Sequence, residues 1–183
     1  ITNVIPPTEG FRNSFSFVRD ASGSMYWSAD GIVYRQPVGG RREPVSRVNF
    51  GEIRSMTASA SGEIFVLAGG DMFRIGRDGD VRRLASDLGE STATMPFVGG
   101  RHQVMGLWLD KSGAVYAAVF GGQKVKRVTS AGRVDVVARS TSPWSPTGGL
   151  IARDGKLWLL EYSLPNKARI RNADRPDVGR PVT

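Results

Sequence analysis

The chain has 183 residues and no cysteine; 40% of it is hydrophobic, 23% is charged, and the formal net charge is +8. That length can bury a substantial core, the absence of cysteine excludes disulfides and thiolate metal sites, and no apolar run approaches the roughly 18 residues of a membrane-crossing helix. The basic residues are mostly arginine and are scattered along the chain, with no stacking set of aromatics and no helix to enter a groove, so neither nucleic acid nor a membrane is an expected partner.

The chain begins at Ile1, which reads as a start trimmed by processing, cloning or proteolysis. From there one pattern recurs. In Phe15–Arg47 a short apolar strand enters a turn at Asp20–Gly23, a second strand covers Met25–Ala29, and a third ends on Val33-Tyr34-Arg35. In Arg54–Leu88 the turn is Ser59–Gly62, the strands after it are Ile64–Ala68 and Met72–Arg74, and the Asp78-Gly79 turn leads to a fourth strand at Val81–Ala85. An insertion of about ten residues lies within Gly89–Gln103; loops of that length in compact domains often carry function, and the alternative is a neutral surface loop. In Val104–Ser140 the turn is Asp110–Gly113, with strands at Val115–Val119, Val125–Arg127 and Val134–Ala138. In Gly148–Arg171 the turn is Arg153–Gly155, with strands at Leu157–Glu161 and Ala168-Arg169, while Asn172–Thr183 reads as loop.

The turn glycines Gly23, Gly62, Gly113 and Gly155 are spaced by 39, 51 and 42 residues. Four strands of about five or six residues with their turns fill such a period, and a four-stranded unit repeating at about 40 residues is a propeller blade. One twisted sheet cannot bury both faces alone, so blades stack. The second strand is nearly all apolar in the later copies, which predicts cover on both faces, and Trp27, Trp108 and Trp158 are predicted core. The expected fold is an all-β propeller of four-stranded antiparallel blades at about 12–49, 50–88, 102–140 and 146–183, in one domain. Four blades are few, so the expectation is part of a larger, six-bladed ring. Further blades or another chain would cover the open sheet faces; the alternative is that Ile1–Ile5 supply the missing outer strand.

The sequence apolar-Asp-x-x-Gly-x-apolar-Tyr-apolar-Ala, then Gly-x-x-Val-x-Arg-Val and Gly-x-Val, best seen in Leu107–Ala138, resembles the NHL-repeat propellers and the gluconolactonase or regucalcin-like propellers. Pro143–Gly149 followed by Leu157–Tyr162 resembles bacterial members. The resemblance implies a ligand site at the mouth of an axial channel, a periplasmic or extracellular location and, for the lactonases, a divalent cation such as calcium or zinc held by Glu, Asn and Asp from several blades. Here the strand-two ends are Ala29, Ala68, Val119 and Glu161, so only Glu161 offers a metal ligand and no cofactor is otherwise evident.

In this frame the axial residues are Arg54, Arg101, His102, Gln103, Trp144, Thr147, Glu161 and Tyr162. His102 is the only histidine, so imidazole acid–base work falls to it; the alternative is a loop histidine with one hydrogen bond. Glu161 ends an apolar strand, where a carboxylate is costly unless paired; it is a base, a metal ligand, or the partner of an inner arginine. Trp144 either stacks on a flat ligand such as a sugar or plugs the channel. No Ser-His-acid set, HExxH or phosphate loop appears. The leading expectation is a propeller that binds a small molecule or protein at its axial face; the alternative is a metal-dependent lactonase-type hydrolase.

Overall fold

The computed structural model describes residues 16–89 and 104–174 and the backbone of 180–181. Strands β1 (Phe17–Arg19), β2 (Met25–Ala29), β3 (Ile32–Gln36) and β4 (Glu43–Pro44) form the first sheet, and β5 (Ile53–Ala58), β6 (Ile64–Ala68), β7 (Asp71–Ile75) and β8 (Val81–Ala85) the second. The third holds β9 (Val104–Leu109), β10 (Val115–Val119), β11 (Lys124–Val128) and β12 (Val134–Arg139); the fourth holds β13 (Ser145–Ile151), β14 (Leu157–Ser163), β15 (Lys167–Asn172) and β16 (Arg180–Pro181). Each sheet is a meander in chain order, and no helix occurs among the described residues.

The turns form where the glycines predict them. Gly23, Gly62, Gly113 and Gly155 have φ of 87°, 82°, 79° and 83°, a region closed to most side chains, and each donates its N–H back to the residue three earlier. In two copies a carboxylate knots the turn. Asp20 accepts from the hydroxyls of Ser22 at 2.6 Å and Tyr26 at 3.0 Å and from the Ser24 amide at 2.9 Å. Asp110 repeats this with Ser112, the Ala114 amide and Tyr116.

Two compact units emerge, one running to Gly69 with Phe73–Arg82, the other Gly70–Met72 with the chain from Arg83 onward. The core of the first gathers Tyr26, Val33, Ile53, Met56, Ile64, Val66 and Ile75, with Phe50 and Phe73 packed against it at 5.3 Å between ring centroids. In the second, Trp108, Tyr116, Ala118 and Val125 of the third sheet pack on Leu157 and Leu159 of the fourth. Here two glycines are sterically required. A Cβ on Gly106 would lie 2.6 Å from the Thr147 carbonyl oxygen, and one on Gly149 would lie 2.6 Å from the Trp158 carbonyl and 2.8 Å from the Trp108 ring.

Three expectations need correction. The segment after Asn172 is not all loop: Arg180–Pro181 pairs with Arg169 and Ile170 as an outer strand, so the fourth sheet has the outer strand the sequence hid. Residues 1–5, the alternative source of such a strand, lie outside the described residues. Cover on both faces holds for β6 and β10, whose residues are all buried, but β14 alternates buried and exposed. Trp158 accordingly is not core; it is 37% exposed, whereas Trp27 and Trp108 are buried.

Candidate functional site

Four predicted site residues come together at one end of the fourth sheet. Register pairs Ser145 with Tyr162 and Pro146 with Glu161, which brings the segment holding Trp144 and Thr147 beside Glu161 and Tyr162. A bulge between Pro146 and Gly148 leaves Thr147 unpaired, and its hydroxyl donates to the Leu160 carbonyl at 3.2 Å. Such bulges re-aim a side chain and concentrate near functional sites. The inner strand β5 carries a matching irregularity between Ile53 and Ser55. Its intervening residue is Arg54, in the other unit, which forms an ion pair with Glu52 at 2.8 Å. Arg101, His102 and Gln103 lie outside the described residues.

Glu161 is fully buried, and its carboxylate is occupied. Arg169 Nε donates to Oε2 at 2.6 Å. Arg171 donates to Oε1 from Nη2 at 3.0 Å and from Nε to both oxygens, at 3.1 and 3.2 Å. The Ser140 hydroxyl donates to Oε1 at 2.6 Å, and Arg171 Nη2 also donates to the Arg139 carbonyl at 2.9 Å, tying the fourth sheet to the end of β12. Burial pushes the Glu161 carboxyl up, but the hydrogen bonds from Arg171, Ser140 and Arg169 and the Arg171 charge outweigh it and hold it below its ordinary value. Both arginines are nearly buried, so two guanidiniums face one carboxylate. Arg169 also lies over the Trp144 ring, 4.3 Å from its centroid, fixing the plane of a half-buried indole.

The fit of a divalent cation follows from this donor set. Such an ion takes several oxygen ligands, and at Glu161 it would have to displace two guanidinium groups. Among the described residues no three His, Asp or Glu side chains converge as a metal cage. The metal that the family resemblance implies therefore does not fit the described residues.

The arginine partners were legible in principle. Strands β14 and β15 flank a tight turn at residues 164–166, and that register sets Glu161 directly opposite Arg169 and Leu159 opposite Arg171. The sequence reading anticipated an arginine partner but looked for it on an inner strand. A separate polar cleft of about 590 Å³ lies in the first unit, lined by Asp20, Tyr26, Arg35, Glu43, Arg77 and Asp78 among others. It sits among the strand-one and strand-three turns, at the opposite strand ends from Arg54, and was not foreseen. Its chemistry is largely spoken for: Asp20 and Tyr26 belong to the turn knot, and Arg35 reaches the Ser24 hydroxyl and Glu43.

No family model and no curated protein matches the chain. Solved structures do. Virginiamycin B lyase from Staphylococcus aureus superposes with a TM-score of 0.65 at 13% identity, over 96% of this chain and 56% of that one. The nidogen/laminin complex matches with a TM-score of 0.65 at 15% identity, over 92% and 64%. The extracellular domain of a hybrid two-component system from B. thetaiotaomicron matches with a TM-score of 0.63 at 11% identity, over 97% and 23%. These neighbours establish a β-propeller fold, and the chain spans little more than half the length of the lyases it matches.

Proposed function

We propose that this chain is a binding propeller of the NHL-like kind, which takes a small molecule or a protein partner at the end of the fourth sheet built by Trp144, Thr147 and Tyr162. The observation that carries this reading is the stack of Trp144 on Arg169, itself anchored to Glu161. A rigid, half-buried indole is a favourable contact group because it offers a large surface with little entropy left to lose. The same anchoring commits Glu161 to its arginines, which favours binding over the metal-dependent lactonase alternative. The nidogen/laminin complex and the extracellular domain of the two-component system among the structural neighbours are in keeping with partner binding and with a location outside the cytoplasm.

Thermal melting with calcium or zinc, alongside hydrolysis of gluconolactone, tests this. We expect no rise in melting temperature with either ion and no hydrolysis above the buffer rate. A rise that Glu161→Ala abolishes would establish the lactonase reading instead.

A further inference from the structure

The positive charge of the chain is unevenly placed. Residues 90–183 hold fourteen lysines and arginines against seven acids, a net +7 of the chain's +8. Across the third and fourth sheets, from Val104 to Asn172, the ratio is eleven to four. Three of those four acids stand at the strand ends away from Trp144, each with a basic partner: Asp110 with Arg127, Asp135 with Arg133 and Asp154 with Lys156. The fourth, Glu161, stands at the Trp144 end and already holds Arg169 and Arg171.

The same end carries Lys124, Arg139 and Lys167. The register sets Lys124 directly opposite Arg139, and Lys167 opposite Ser163, two residues beyond Glu161. The Arg139 carbonyl accepts from Arg171, which joins this pair to the Glu161 cluster. Arg139 and Lys167 are exposed. In these two sheets five cations thus meet one carboxylate where the indole stands. The neighbouring end of the second sheet, reached by Lys126 at the Leu88 carbonyl, adds Asp71 and Asp87 with Arg83, and Asp71 faces Arg83 at 3.4 Å. Glu90 and Asp177, outside the described residues, are matched in number by Arg101 and Arg175.

Charges of one sign gathered at one end add their potentials and steer a partner of the opposite sign to it. Like charges set directly opposite across two strands cost stability, and an anion laid over Lys124 and Arg139 offsets that cost. The cations stand on two sheets. Adjacent strands are about 4.8 Å apart and packed sheets about 10 Å apart, a spread that suits a chain bearing several carboxylates better than one small anion. Phe120 at this end is buried, which leaves Trp144 and Tyr162 among the described aromatics; stacked bases use longer platforms, so a peptide fits better than a nucleic acid.

We propose that the site at the end of the fourth sheet takes an acidic peptide segment of a partner protein, its carboxylates laid along Lys124, Arg139 and Lys167 and an apolar side chain against Trp144. This rests on the reading of Trp144 as a contact group and specifies the chemistry of what it contacts.

Fluorescence anisotropy on the full chain tests this, with a labelled peptide of alternating Glu and Leu and the same peptide carrying Gln for every Glu. The Glu peptide should bind, salt should weaken it, and the Gln peptide should not bind. Arg139→Glu with Lys167→Glu should weaken binding about tenfold or more, with an unchanged melting temperature. Lys111→Glu with Arg153→Glu, exposed at the opposite strand ends, changes the net charge equally and should weaken it about twofold at most. Tryptophan emission should shift on binding, and Trp144→Phe should remove the shift. Should the first pair fail to fold, Arg139→Gln with Lys167→Gln decides, at about threefold or more. Equal weakening by the two pairs, or tighter binding of single-stranded DNA of equal charge, overturns the proposal. A Gln peptide that binds as well as the Glu peptide and shifts Trp144 overturns it while the binding site stands. Binding of the Glu peptide that leaves Trp144 silent overturns the site as well.

Discussion

Replacing Glu161 by Gln keeps the side-chain shape and removes the negative charge that Arg169 and Arg171 share. Two buried guanidiniums then lose that common carboxylate. Removing one partner of a buried ion pair costs about 3–5 kcal/mol, which for a chain of this size lowers the melting temperature by roughly 6–20 °C. The order among variants is equally telling. Arg171 makes three contacts to the carboxylate and one to the Arg139 carbonyl, and Arg169 donates to the carboxylate from Nε and lies over Trp144. Arg169→Met should cost less than Glu161→Gln, because it leaves one charge of each sign. The pH response has a definite sign. The folded carboxyl titrates below its ordinary value, so its stabilisation is complete above that ordinary value and is lost as pH falls through the lower, folded value. Urea titrations followed by circular dichroism and tryptophan fluorescence, at neutral pH and near pH 3, measure both effects. A Glu161→Gln loss below about 1 kcal/mol, or a mutant as acid-sensitive as the parent, would refute the clamp.

Two further outcomes follow from local geometry. Gly149→Ala should cost about 1–3 kcal/mol, because its Cβ would press on the Trp158 carbonyl and the Trp108 ring, while Gly148→Ala, with nothing within 4 Å, should be close to neutral; equal melting of the two would disprove the steric reading. Burial and the hydrogen bond and charge of Asp20 push the Tyr26 hydroxyl up to about 12, so ultraviolet titration should show a tyrosine that ionises about there, and Asp20→Asn should bring it down toward 10; the stability tied to it is complete below pH 10 and fades as pH rises toward 12.

The blade repeat was legible because its turns are chemical. Glycine at positive φ and an acceptor side chain at the turn's start are local requirements, and together they fixed the first turn of the first three sheets to the residue, while in the fourth, which starts at Ala152, the glycine alone marks it. The outer strands were less legible for an equally physical reason. Glu43–Pro44 and Arg180–Pro181 are two residues each and carry no apolar alternation. Strands this short leave no pattern to read, and only their backbone pairing reveals them.

The candidate site divides along the same line. Burial of Glu161 could be inferred, because a carboxylate at the end of an apolar strand must be paired. Its partners depended on register, and register is a property of two strands and their turn. Once the register is known, the clamp explains why Leu157-Trp158-Leu159-Leu160 looked doubly covered. In β6 and β10 an apolar run reflects burial on both faces. In β14 the face with Leu157 and Leu159 ends on a buried ion cluster, and the face with Trp158 and Leu160 is open. The same string of hydrophobic residues thus serves a core on one side and offers a surface on the other. Hydrophobicity records that a residue is suited to burial, and the covering partner can belong to another molecule.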